Sequence, residues 1–103
     1  MLDQAERIAP EDARELRLAM GRWLRDLREG RGLTQRDLAN MLSLEYYTFV
    51  SQLENGRGRI PPHRYIEWAT ALGVAPQVFV KTLLSFTEPL TYRILFEDTE
   101  RSA

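Results

Sequence analysis

Cysteine is absent from the 103 residues, and histidine occurs once, at His63. The first absence excludes disulfides and thiolate metal sites; with a single imidazole left, we expect no zinc site, no other metal and no cofactor. No nucleophile stands beside a base and no glycine-rich phosphate cradle is present, so we expect no enzyme. Runs of apolar residues fall far short of a bilayer span, and no charged-then-apolar leader precedes a cleavage site. We therefore expect no membrane partner and a cytoplasmic protein. Lysine is nearly missing as well, with one against thirteen arginines; this fits a GC-rich genome and carries no functional reading. Apolar residues make up 44% of the chain, enough to fill one small core.

A strong surplus of either charge is lacking too, the formal net charge being −1. The sum argues against a polyanionic partner, but the distribution matters more. Residues 1–21 carry three basic groups against five acids, residues 22–64 eight against five, and residues 65–103 three against five. Only the middle segment is net positive.

That segment also holds the most informative stretch, Leu33 to Pro61, LTQRDLANMLSLEYYTFVSQLENGRGRIP. Thr34 suits a helix N-cap, with Asp37 at the capping-box spacing. Leu38, Ala39 and Leu42 form a narrow apolar face, with Arg36 and Asn40 outside it. The period breaks at Leu42-Ser43-Leu44, and Glu45 is expected to open a second helix, placing an acid at its positive end. Phe49, Val50 and Leu53 supply the buried stripe of that helix, and Asn55-Gly56 ends it. Two short helices joined by a three- or four-residue turn make a helix-turn-helix. With that stripe inward, helical geometry sends Tyr47, Thr48, Ser51 and Gln52 outward. Arg57 and Arg59 follow on a glycine-containing loop.

The segments L-T-Q-x-x-L-A and L-E-N-G, at the two ends of this pair, resemble the XRE family of phage Cro and repressor type. The resemblance covers about residues 21–84 and implies a five-helix DNA-binding domain. Tyr47, Thr48, Ser51 and Gln52 then become candidate base readers, since a glutamine amide can pair with adenine and a threonine methyl can meet the thymine methyl. By resemblance, Thr48 and Gln52 match base-reading positions, Gln35 a phosphate anchor, and Asn55 and Arg57 backbone contacts. Also by resemblance, Arg28 and Glu54 match a partly buried ion pair tying the first helix to the end of the recognition helix. The helix N-terminus at Thr34 offers N–H groups to a phosphate, and Arg59 is a further backbone candidate. The hydroxyls of Tyr46 and Tyr47 suit phosphates and their rings suit thymine methyls; for Tyr46 the alternative is packing on the preceding helix. The chain departs from the phage repressors in three ways: the interval from Ser43 to Glu54 is one residue longer, the turn has no glycine, and one residue is inserted between Pro61 and Leu72.

Elsewhere, residues 1–9 have no period and are expected to be disordered. Pro10 starts a helix of about twenty residues with Glu11 and Asp12 at its positive end. Its stripe is Ala13, Leu16, Met20, Trp23 and Leu27, and Gly30-Arg31-Gly32 ends it. The first half of this helix either lengthens the core face or zips to a second subunit. Gly21 weakens it by about 1 kcal/mol unless a neighbour packs closely there. Pro62 starts a fourth helix with Tyr65, Ile66, Ala69 and Leu72 inward, Trp68 exposed at its edge and Gly73 as the stop. Pro76 starts a fifth, through about Phe86, burying Val78, Phe79 or Val80, and Leu83. In the tail, Leu90, Tyr92, Ile94 and Phe96 alternate as in a strand, while Leu90, Ile94 and Leu95 suit one helical face; the helix is the preferred reading. Tyr92, Ile94, Leu95 and Phe96 are too apolar for a free tail and should pack on the core or on another subunit.

The expected architecture is all-α: a five-helix Cro/repressor-like domain over residues 10–86 with an extended first helix, then a tail element within residues 87–103 that gives way to disorder. The resemblance implies a sequence-specific transcriptional regulator of bacterium or phage. It would be a repressor reading the major groove of a palindromic operator as a homodimer, associated with the nucleoid. The alternative is an antitoxin or protein-interaction module on the same fold, engaging a partner protein through residues 87–96.

Overall fold

The computed structural model of the protein describes residues 10–97. The expected disorder of residues 1–9 and 98–103 lies outside the described part, whereas Glu97, also expected to be disordered, lies within it. Six α-helices follow in order: α1 (Pro10–Gly30), α2 (Gln35–Met41), α3 (Thr48–Glu54), α4 (Tyr65–Leu72), α5 (Pro76–Thr87) and α6 (Pro89–Phe96), with a 3₁₀ turn at Pro62–Arg64 leading into α4. No strand occurs among the described residues. The tail element is thus a sixth helix. Among the described residues, no single helix is long and apolar enough to cross a membrane.

α1 forms because Pro10 presets its first turn, acids at Glu11 and Asp12 face its positive end and Arg28 its negative end. It lies across α3 and α5, while α5 also carries α4 and α6. Met20 and Leu24 on α1, Leu38 and Leu42 near α2, Val50 and Leu53 on α3, Trp68 and Leu72 on α4, and Phe79 and Leu83 on α5 share one core. Trp23 stacks on Phe79 with ring centroids 5.2 Å apart and meets Phe86 at 5.5 Å. Gly21 is buried where α1 crosses α3, and a Cβ there would collide with the backbone carbonyl of Glu54. The close approach, not the helix, requires this glycine.

Four helices end the same way. An N–H two residues beyond the last turn reaches back five residues, in Leu33 to Arg28, Leu44 to Ala39, Arg57 to Gln52 and Val74 to Ala69. The residue before each of these donors has positive φ: Gly32, Ser43, Gly56 and Gly73. This is the Schellman closure, which satisfies otherwise orphaned carbonyls. At Ser43, with φ 55°, a serine does what glycine does elsewhere.

The structure departs from three expectations about where helices start and which residues they bury. α3 begins at Thr48 and not at Glu45, so residues 42–47 separate it from α2 and no acid stands in its first turn. The closure at Ser43 turns the chain away before a new helix can start. On α4, Ala69 and Leu72 are buried as expected and Tyr65 packs against the core, but Ile66 is exposed and Trp68 is buried. The indole Nε1 of Trp68 has no hydrogen-bond partner among the described residues. Val78 on α5 is likewise exposed, whereas Phe79 and Leu83 carry its buried face.

Candidate nucleic-acid interface

A buried charge cluster fixes α3 against the rest of the fold. Arg28 donates from Nε to Glu54 Oε2 at 2.7 Å and from Nη2 to Glu54 Oε1 at 3.0 Å. Its Nη1 donates to the Leu33 carbonyl at 2.7 Å, just before α2. The two side chains are 9% and 4% exposed. Gln35 Nε2 adds a third bond to Glu54 Oε1 at 3.1 Å. One carboxylate therefore joins the end of α1, the start of α2 and the end of α3. The bidentate geometry sets orientation as well as attraction. Hydrogen bonding to Glu54 raises the Arg28 pKa against the opposing cost of burial.

The N-terminus of α2 is closed by a capping box. Asp37 N–H donates to Thr34 Oγ1 at 3.0 Å, and Thr34 N–H donates to Asp37 Oδ2 at 2.8 Å. The Thr34 backbone N–H and then its hydroxyl hold the Asp37 carboxyl below its ordinary value. The N–H of Thr34 thus donates to Asp37, and one N–H of the Gln35 amide donates to Glu54 while the amide keeps a second.

On α3, Val50 and Leu53 are buried, and Phe49 sits half-buried with its ring edge-on to Trp68 at 6.3 Å. Thr48 and Gln52 are exposed on the other side, with Ser51 half-buried between the faces. Asn55, Arg57 and Arg59 are exposed beyond the helix. The loop that carries them is seated on α1, where a Cβ on Gly56 would stand 3.2 Å from the Arg17 carbonyl. Tyr47 does not lie in the helix; it is the N-cap residue and gives no side-chain cap bond. Tyr46 is 66% exposed, so little of its side chain is packed on any element.

Two arginines escaped the sequence reading. Arg64 bonds through Nη2 to the Leu42 carbonyl and to Glu67 Oε2, the latter at 2.7 Å. It tethers the end of α2 to the start of α4, and its hydrogen bond lowers the Glu67 pKa. Arg36 lies with its guanidinium carbon 4.9 Å from the centre of the Tyr47 ring. No sequence signal links Arg36 to Tyr47, because eleven positions and a turn of unexpected length separate them.

The assembled surface is an exposed polar helix face held by a rigid core, flanked by arginines on α2 and on the loop after α3. The model of a family described as a helix-turn-helix domain matches residues 19–79. The fold is similar to the crystal structure of the clp gene regulator ClgR from Corynebacterium glutamicum, at a TM-score of 0.56 and 28% identity, over 84% of this chain and 88% of that one. No curated protein matches the chain.

Proposed function

The chain belongs to the helix-turn-helix domain family, and on that premise we propose that it is a sequence-specific DNA-binding transcriptional regulator that reads the major groove with α3. The observation that carries the reading is the division of α3 into a buried apolar face and an exposed face bearing Thr48 and Gln52. Gln52 offers a donor and an acceptor side by side to adenine, and Thr48 offers a methyl to thymine. Ser51 is the remaining base-reading candidate. Arg57 and Arg59, with Asn55, hold the phosphate backbone, as does the hydroxyl of Tyr46; the helix N-terminus at Thr34 and the second amide N–H of Gln35 add to it. The similarity to a gene regulator supports the same reading.

The finer proposal is a homodimeric repressor on a palindromic operator. One recognition helix reads few base pairs, and paired half-sites about 34–36 Å apart supply the rest. On α6, Ile94 is 63% and Leu95 59% exposed, apolar area that a second copy would cover. Bound across an operator, such a dimer would occlude it. The same exposed residues favour a second reading, a protein-interaction module. Selection of bound duplexes from a random pool, with the mass of the complex measured across a salt series, tests both. A recovered palindrome bound by two copies with a steep salt slope is expected; no enrichment and no salt dependence would favour the interaction module.

A further inference from the structure

Arg36 is exposed, stands on α2 and makes no ion pair among the described residues. The acids around it are engaged or apart. Asp37 closes the capping box, Glu29 pairs with Arg25 at 3.3 Å, and Glu45 comes within ion-pair distance of no arginine. What Arg36 does have is the face of Tyr47, 4.9 Å below its guanidinium carbon. The pair forms a ridge between two open concavities: one is lined by Thr34 and Gln35, the other by Ala39, Asn40, Leu44 and Tyr46. Tyr47 is the residue immediately before α3. The ridge therefore borders the recognition helix at its N-terminal end, opposite Arg57 and Arg59 beyond its C-terminal end.

We propose that Arg36, held on the Tyr47 ring, is a phosphate clamp at the N-terminal flank of the recognition helix, and that Tyr47 is a positioning residue and not a base reader. The inference rests on the DNA-binding reading given above. A guanidinium stacked on an aromatic face keeps its charge and its N–H edge while losing much of its rotational freedom, so less order remains to be imposed when an oxyanion arrives. A phosphate is the fitting ligand because Arg36 belongs to the first helix of the pair, the one that crosses the backbone while the second enters the groove. A base edge is a poor fit for Tyr47, since one face of its ring is occupied by Arg36 and the residue lies outside α3. The arginines at both ends of α3 would then grip the backbone on either side of the bases that Gln52 reads. This explains why the middle of the sequence is net positive in a chain that is net negative.

The test measures affinity and salt slope for the full-length protein on a selected duplex and a scrambled one. The variants are Arg36→Gln, Tyr47→Phe, Tyr47→Leu, the double variant Arg36→Gln/Tyr47→Leu, and Gln52→Ala as a control, with helicity and melting checked for each. Arg36→Gln should weaken both duplexes alike and flatten the salt slope by about one unit. Tyr47→Phe keeps the stacking ring and should bind as the unsubstituted protein does. Tyr47→Leu should weaken binding about two- to fivefold, the worth of an exposed cation–π contact, and should add nothing in the Arg36→Gln background. Additive losses in the double variant would overturn the positioning role, and a changed sequence preference in Tyr47→Phe would make the tyrosine a base reader after all. If Gln52→Ala alters binding while Arg36→Gln does not, the clamp is wrong and the DNA-binding reading stands. If the unsubstituted protein binds no duplex, both fall together.

Discussion

At Gly21 two tendencies oppose each other. Alanine is the better helix former by about 1 kcal/mol, yet a Cβ at this position meets the carbonyl of Glu54. Backbone cannot step aside as a flexible side chain can, so the collision decides the sign. Gly21→Ala should destabilise the protein by about 1–3 kcal/mol, as overpacking does, where an exposed helical glycine would be improved by the same change. Urea unfolding measures it. Ser43 shows the opposite case. Its φ of 55° is one that side-chain-bearing residues adopt at a cost of roughly 1 kcal/mol. Ser43→Gly should recover most of that, raising the melting temperature without changing the fold. At Glu54, removal of the carboxylate leaves the Arg28 guanidinium buried without its partner. Glu54→Ala should cost about 3–5 kcal/mol, and a double-mutant cycle with Arg28→Ala should show strong coupling between the two. A cycle with no coupling would mean that the pair contributes no orientation to α3.

Among the elements, α6 is the one whose sequence demands more burial than the chain gives it. It packs on α5, with Tyr92 and Phe96 rings 5.1 Å apart and Lys81 Nζ 4.9 Å from the Phe96 ring centre. Ile94 and Leu95 remain outward. If the proposed dimer forms through α6, ending the chain after Thr87 should weaken it and lower the melting temperature together; analytical ultracentrifugation and thermal melts at matched concentration measure the two. Unchanged mass and melting temperature would mean that α6 is neither an interface nor a brace.

How much of these elements the sequence revealed depended on what marks their ends. The ends of α1, α3 and α4 were legible because Gly32, Gly56 and Gly73 occupy the left-handed positions. The end of α2 at Ser43 was not, and the start of α3 was misplaced with it: Glu45 looks like an acidic first turn, although α3 begins three residues later. The faces of α1 and α5 followed from regular helical spacing, apart from Leu24 and Val78. On α4 the spacing placed Ala69 and Leu72 inward but misassigned Ile66 and Trp68. In the candidate interface, Thr48 and Gln52 could be placed by counting back from Leu-Glu-Asn-Gly. Tyr47 and Arg36 could not, since their stacking depends on the path of the intervening turn.

In the whole molecule, the two sides of α3 divide the labour. The inner side, with Val50, Leu53 and Glu54, fixes the helix to α1 through apolar burial and the charge cluster. The outer side is left polar, and exposed arginines lie beside it on α2 and on the following loop. The central claim is that residues on the helix read sequence, whereas those past it hold the backbone. The most direct measurement is the affinity of Gln52→Ala and Arg57→Ala for a selected duplex and a scrambled one across a salt series. Gln52→Ala should cost about 1–3 kcal/mol on the selected site, little on the scrambled one, and relax the preference at one base pair. Arg57→Ala should weaken both duplexes alike and flatten the salt slope by about one unit. A changed sequence preference in Arg57→Ala, with Gln52→Ala leaving it intact, would contradict the account and put the reading surface elsewhere than on α3.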